Sequence, residues 1–269
     1  MKRHHFLSAC LCVIAGLILV SCGSVPLTGR KQILLVSDQE VYEAGLTQYK
    51  AYMAETKVSS DARRTALVKS VGRSLADATE RYLRASGFES DIANLKWEFN
   101  LVKNPEVNAF CLPGGKIVVY EGLFSIAQTE DELAVVLGHE IGHAVAKHSN
   151  ERMSQQILTQ YGMAILSSAL SEKSVAVQSV ATSVFGLGAQ VGLMLPYSRK
   201  HEYEADYMGL VFMEIAGYDS ESALTFWTKM ASGKGSSSDF LSTHPSDSKR
   251  IAAIKSRIEE ARTVASSLK

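Results

Sequence analysis

Cysteine is scarce in this 269-residue chain and unevenly placed. Three of the four lie at positions 10, 12 and 22, which leaves Cys111 alone in the remainder. One thiol cannot form an internal disulfide, so the folded part must be held by its core or by a metal. An excess of charge is equally absent: 28 Lys and Arg face 28 Asp and Glu. With no basic block, the composition excludes the electrostatic footprint of a nucleic-acid binder, and it is not that of a disordered tail. Apolar runs are too few for a polytopic membrane protein. There is no G-x-S-x-G for a serine hydrolase and no internal repeat. Gly186-x-Gly188 lacks the third glycine of a dinucleotide loop and follows no strand, which speaks against a nucleotide site.

The apolar stretch that does stand out is at the N-terminus. Lys2 and Arg3 precede a run from Phe6 to Val20 that ends in small residues. It is shorter than a comfortable membrane span and has the layout of an export signal. Leu19-Val20-Ser21-Cys22 resembles a bacterial lipobox, which implies removal of residues 1–21 and attachment of lipid at Cys22. Gly23 rather than aspartate follows, which by bacterial sorting habits implies the outer membrane, facing the periplasm. The expectation is a protein of the bacterial cell envelope held to its membrane by lipid.

Residues 22–36, with Pro26 and Gly29, read as the lipidated end and a tether; residues 37–269 read as a single domain. Ser37 with Glu40 forms a capping-box pattern opening a helix to about Glu55, and a second helix is predicted from Asp61 to about Ala85. Residues 95–102 alternate apolar and polar as a half-buried strand does. Pro113-Gly114-Gly115 marks a turn before a strand over Lys116–Tyr120. Thr129 with Glu132 repeats the capping pattern and opens a helix through His148. Further helices are predicted over Arg199–Ala216, over 221–231, and in the final segment carrying Ile251, Ile254 and Ile258. The fold class is α+β, mostly helical, with a small sheet.

Within the helix opened by Thr129 lies His139-Glu140-Ile141-Gly142-His143. Residues i and i+4 share a helical face, so both imidazoles reach one ion, while Glu140 is rotated by about 100°. That places a carboxylate beside the metal without forcing it to ligate, as suits a base acting on metal-activated water. A third histidine at the metzincin spacing fails, because Ser149 and Ala146 occupy the required positions. His148 lies about 140° round the helix from His143 and reads as a solvated cation at the helix C-terminus. Glu202 and Asp206 are again i and i+4, whereas Glu204 points roughly the opposite way. One of that pair can ligate the metal and the other can orient a ligating histidine through its free ring N–H.

Together with Ser198-Arg199-x-x-Glu202-x-Glu204-Ala205-Asp206-x-x-Gly209, the first motif resembles the zinc metallopeptidase family of CAAX prenyl proteases, HtpX and BepA. Asn108-Ala109-Phe110 with Pro113-Gly114-Gly115, and His244-Pro245 with Arg250, match the same family in the same order. The resemblance spans about residues 38–260. It implies a zincin-like metallopeptidase domain with its small sheet beside the catalytic helix. It further implies one zinc held by His139, His143 and Glu202, support from Asp206, and Glu140 as the base that hydrolyses peptide bonds. Asn108 resembles the residue that hydrogen-bonds substrate backbone. His244 is implied near the zinc, as an oxyanion donor or as the occupant of the open coordination position. Arg250 is expected to pair with an acid of the site.

Protein or peptide substrates follow from this reading, with protein quality control as the role, a membrane contact through lipid, and no nucleic acid or nucleotide. A substrate strand is expected to pair with Lys116–Tyr120 as an edge strand. Residues 153–195 read as a buried or lid-like helical pair. A single membrane crossing there would separate His139 and His143 from Glu202. The competing function is a lipid-anchored binding or chaperone-like protein that keeps the zinc fold without much proteolysis; the presence of Glu140 speaks against it.

Overall fold

The computed structural model describes residues 22–168, 198–232, 244 and 248–268. Its elements are β1 (Cys22–Ser24), β2 (Lys31–Ile33), α1 (Asp38–Glu55), α2 (Ala62–Ala85), α3 (Glu89–Ile92), β3 (Glu98–Val102), β4 (Ala109–Leu112), β5 (Lys116–Tyr120), α4 (Glu130–Val145), α5 (His148–Ser168), α6 (Arg199–Ala216), α7 (Ser222–Ala231) and α8 (Ser248–Ser266). The mostly helical α+β reading holds.

Local signals behave as the sequence leads one to expect. The Ser37 side chain accepts from the Glu40 amide while Glu40 reaches back to Ser37, a complete capping box. Thr129 caps α4 by accepting from the Glu132 amide, but Glu132 returns its bond to the amide of Gln128. Three acids in the first turn of α4 complement the helix dipole. Gly217, at φ 89°, closes α6 in the left-handed conformation.

The three-stranded sheet runs in the order β3-β5-β4, with β5 parallel to β3 and antiparallel to β4. Lys116–Tyr120 is therefore the central strand and not the edge expected above. The turn Pro113-Gly114-Gly115 folds β4 back onto it, with both glycines at positive φ (83° and 77°). Strand order depends on which distant segments pair, and the strand's own sequence does not carry that information.

Side chains of β5 alternate between two cores, as period-2 geometry requires. Ile117 and Val119 join the larger core with α2, α4, α6 and α7. Val118 and Tyr120 join a smaller one with Val41, Tyr52, Phe110 and Met153. The central helix α4 is buried around most of its circumference, which marks it as a core helix and not a surface one.

Against α4 lies α6, at a separation set by small residues. A Cβ added at Gly142 would lie 2.7 Å from the carbonyl oxygen of Ala205, and one at Gly138 would lie 3.2 Å from that of Gly209. This near-contact of backbones brings His139 and His143 opposite Glu202 and Asp206. Gly142→Val is expected to destabilise the fold by roughly 1–3 kcal/mol through overpacking, read as a lower thermal midpoint. An unchanged midpoint would mean that the helices separate freely.

Two expectations about the ends of elements are revised. The stretch read as a tether contains a β1–β2 hairpin, Cys22 pairing with Ile33, and it packs on the domain through Val25, which is fully buried. Helix α4 ends at Val145, not His148, because Lys147 takes a left-handed φ of 55° and is held by Asp38 and Asp91. Most of the expected helical pair over 153–195, most of the loop at 232–238, and Pro245 lie outside the described residues. Among the described residues no helix is long and apolar enough to cross a membrane.

Candidate active site

Ligand atoms of His139, His143, Glu202 and His244, contributed by α4, α6 and the segment before α8, all lie within 4.8 Å of one another. His139 Nε2 is 3.0 Å from His143 Nε2 and 3.1 Å from His244 Nδ1. The Glu202 carboxylate faces both helix histidines, each at 3.4 Å, and lies 3.2 Å from His244 Nδ1. All four residues are at most 2% exposed.

Three imidazole nitrogens and a carboxylate converging on one buried point make a donor set that a shared cation would complete. Zinc bound tetrahedrally by N and O ligands at about 2.0–2.2 Å sets those ligands about 3.3–3.6 Å apart. The observed separations are close to that, and the donor set is one zinc accepts, so the residues fit the ion. A further sign is Glu140, whose Oε1 is buried without a hydrogen-bond partner among the described residues and lies 3.4 Å from His244 Nε2. Burial raises the Glu140 carboxyl above its ordinary range, partly offset by His244 and His139. A raised pKa suits a carboxylate that must both take and release a proton.

Support comes from behind the cluster. Asp206 Oδ1 accepts from His139 Nδ1 at 2.9 Å, which in the neutral ring leaves the Nε2 lone pair facing the cluster. Asp206 in turn accepts from Arg250 Nε at 2.6 Å and from Nη2 at 2.8 Å. Arg250 also reaches Glu202 Oε2 at 3.0 Å, so its acid partners are Asp206 and Glu202. The guanidinium is fully buried and lies over the Trp227 ring, 3.6 Å from its centroid. Trp227, on α7, was not legible as a site residue.

Asn108 stands at the start of β4, buried, its Oδ1 accepting from the amide of Ala109 at 2.9 Å. Edge strand β4 packs against α4 beside the cluster, and the Cys111 backbone acts to lower the Glu140 carboxyl. Burial pushes the Cys111 thiol well above its usual range, and its sulfur is directed to the carbonyl of Leu112.

His148 is a correction. It is fully buried rather than solvated, because the break at Lys147 turns the chain and sets its ring against His143, with the two Nδ1 atoms 2.9 Å apart. Glu204 leaves the face of α6 that carries Glu202 and Asp206, as expected, yet it too is buried and lies 2.9 Å from His148 Nε2. Neither residue was placed in the site by face counting, which assumes an unbroken helix.

Residues 68–258 match the model of peptidase family M48. A mitochondrial metalloendopeptidase OMA1 of Schizosaccharomyces pombe is 41% identical over 175 residues, covering 64% of this chain and 50% of that protein. The human mitochondrial metalloendopeptidase OMA1 is 29% identical over 247 residues, covering 88% and 46%. The beta-barrel assembly-enhancing protease of Escherichia coli is 31% identical over 173 residues, covering 62% and 35%. The chain spans half or less of the length of these curated relatives. The fission-yeast and human matches carry mitochondrial names, and they overturn the lipid-anchored, bacterial outer-membrane placement. A short basic and apolar N-terminal run marks targeting in general and does not specify the compartment. With buried His139-Glu140-x-x-His143 facing Glu202 inside the matched span, the chain belongs to peptidase family M48.

Proposed function

We propose that the chain is a zinc metalloendopeptidase in which His139, His143 and Glu202 hold the ion and Glu140 moves the proton. The observation that carries this is the buried cluster of three histidines and a glutamate, with a Glu140 oxygen beside it that has no hydrogen-bond partner among the described residues. When bound there, zinc supplies Lewis acidity, acidifying water and polarising a carbonyl. Glu140 Oε1 accepts the water proton and later delivers it to the leaving amine. Asp206 holds His139 in the ligating tautomer, and Arg250 holds Asp206 and neutralises part of the carboxylate charge.

In this reading His244 is a ligand of the resting site, because its Nδ1 converges with the other three ligand atoms. Substrate backbone pairs with β4, the edge strand nearest Glu140, with Asn108 at its entrance. Main-chain pairing accepts many sequences, which suits quality control of misfolded proteins. The Escherichia coli relative's name, an assembly-enhancing protease, points the same way.

Casein offered to the purified full chain should be cut at internal bonds. Cleavage should cease with 1,10-phenanthroline and return on adding zinc. Cleavage that persists in the chelator would refute a metal-dependent peptidase and leave the binding-protein alternative.

A further inference from the structure

The two histidines of α4 are backed in different ways. His139 leans on Asp206 directly, whereas His143 leans on a second imidazole, His148. For His143 to offer its Nε2 lone pair to an ion, its ring proton must sit on Nδ1. That nitrogen faces His148 Nδ1 at 2.9 Å, which must then accept, so the proton of His148 sits on Nε2. His148 Nε2 donates to Glu204 Oε2, also at 2.9 Å. The relay therefore runs one way, from His143 through His148, and needs an ionised carboxylate at its end.

What stabilises that carboxylate comes from the N-terminal hairpin. Thr28 donates its hydroxyl to Glu204 Oε1, and Arg30 Nε donates to Oε2 at 2.7 Å. The same guanidinium forks onto Glu151 through Nη1 at 2.9 Å and Nη2 at 2.8 Å. Glu151 in turn faces His201 Nε2 at 3.1 Å, and the His201 ring stacks on His148 with centroids 4.3 Å apart. Arg30 is thus the cation between two buried carboxylates, its side chain only 12% exposed. Geometry of this kind, bidentate and buried, is where an ion pair has a large effect.

We propose that the β1–β2 hairpin is a positioning element for the metal site: Arg30 and Thr28 complete the support of His143, so hairpin docking and zinc binding are coupled. The inference rests on the zinc reading above. Coupling is reciprocal, so whatever factor the docked hairpin adds to zinc affinity, zinc adds to hairpin docking.

The test uses the full chain, with zinc affinity from chelator competition and hydrogen exchange at Val25 and Gly29, amides bonded within the hairpin turn. In Arg30→Gln the zinc Kd should rise by about 10-fold, the lower end of what losing a direct outer partner of a metal-bound histidine costs, since Arg30 acts through Glu204 and His148. Arg64→Gln, an exposed residue on α2, should leave it unchanged, which separates the effect from general loss of stability. In wild type, zinc should slow exchange at Val25 and Gly29 by the same factor, and Arg30→Gln should abolish that protection. If Arg30→Gln does not fold, Thr28→Ala gives the same comparison, and the wild-type exchange experiment needs no variant. Wild-type affinity in Arg30→Gln, or hairpin exchange indifferent to zinc, overturns the coupling while the zinc site stands. Zinc binding unaffected by His143→Ala overturns the site as well.

Discussion

Glu140→Gln is expected to bind zinc as wild type does and to cleave casein roughly 10²–10⁴-fold more slowly, the range contributed by a positioned acid–base group. Glutamine keeps the shape of the side chain, so packing in α4 is conserved. Its amide cannot accept and return a proton. Glu140 is one residue beyond His139, about 100° round the helix, and its Oε1 is buried with no hydrogen-bond partner among the described residues. No structural bond to that oxygen is therefore lost, and the deficit should appear in kcat with KM little changed. A Glu140→Gln protein that retains zinc and cleaves at the wild-type rate would refute the assignment.

Much of the site was legible because its parts are local. A side-chain cap fixes where α4 starts, and Ser198, accepting from the His201 amide, does the same for α6. Given those starts, i, i+4 spacing puts His139 with His143 and Glu202 with Asp206, and the structure brings the pairs together. The small residues Gly138, Gly142 and Ala205 are local too, but that they form a close contact between α4 and α6 is seen only in the structure.

The misses have a common cause in long-range geometry. Lys147 in a left-handed conformation ends α4 without the glycine that usually announces such a stop, so His148 was counted on a helix that does not reach it. Arg30 and Thr28 looked like a tether because their partners, Glu151 and Glu204, are more than 120 residues away in sequence. The central position of β5 and the edge position of β4 likewise depend on pairing partners. Trp227 has no motif; only the packing of α7 against α4 brings its ring within 6.0 Å of His139.

The second large effect concerns the ion itself. Glu202→Ala removes the one carboxylate of the proposed ligand set and one of the two acids that neutralise Arg250, which is fully buried and 3.0 Å from Glu202 Oε2. Asp206 still pairs with Arg250, but His139, His143 and His244 must then bind zinc with no carboxylate among them and with that cation nearby. Glu204→Ala acts at one remove, through His148, so its zinc loss is expected to be partial. That revises the face-counting argument, under which Glu204 lay clear of the metal. Metal analysis of the purified full chain by mass spectrometry tests the central claim most directly. Wild type and Glu140→Gln should each carry about one zinc per chain, while His143→Ala and Glu202→Ala should carry far less. Equal zinc in wild type and Glu202→Ala would contradict the account.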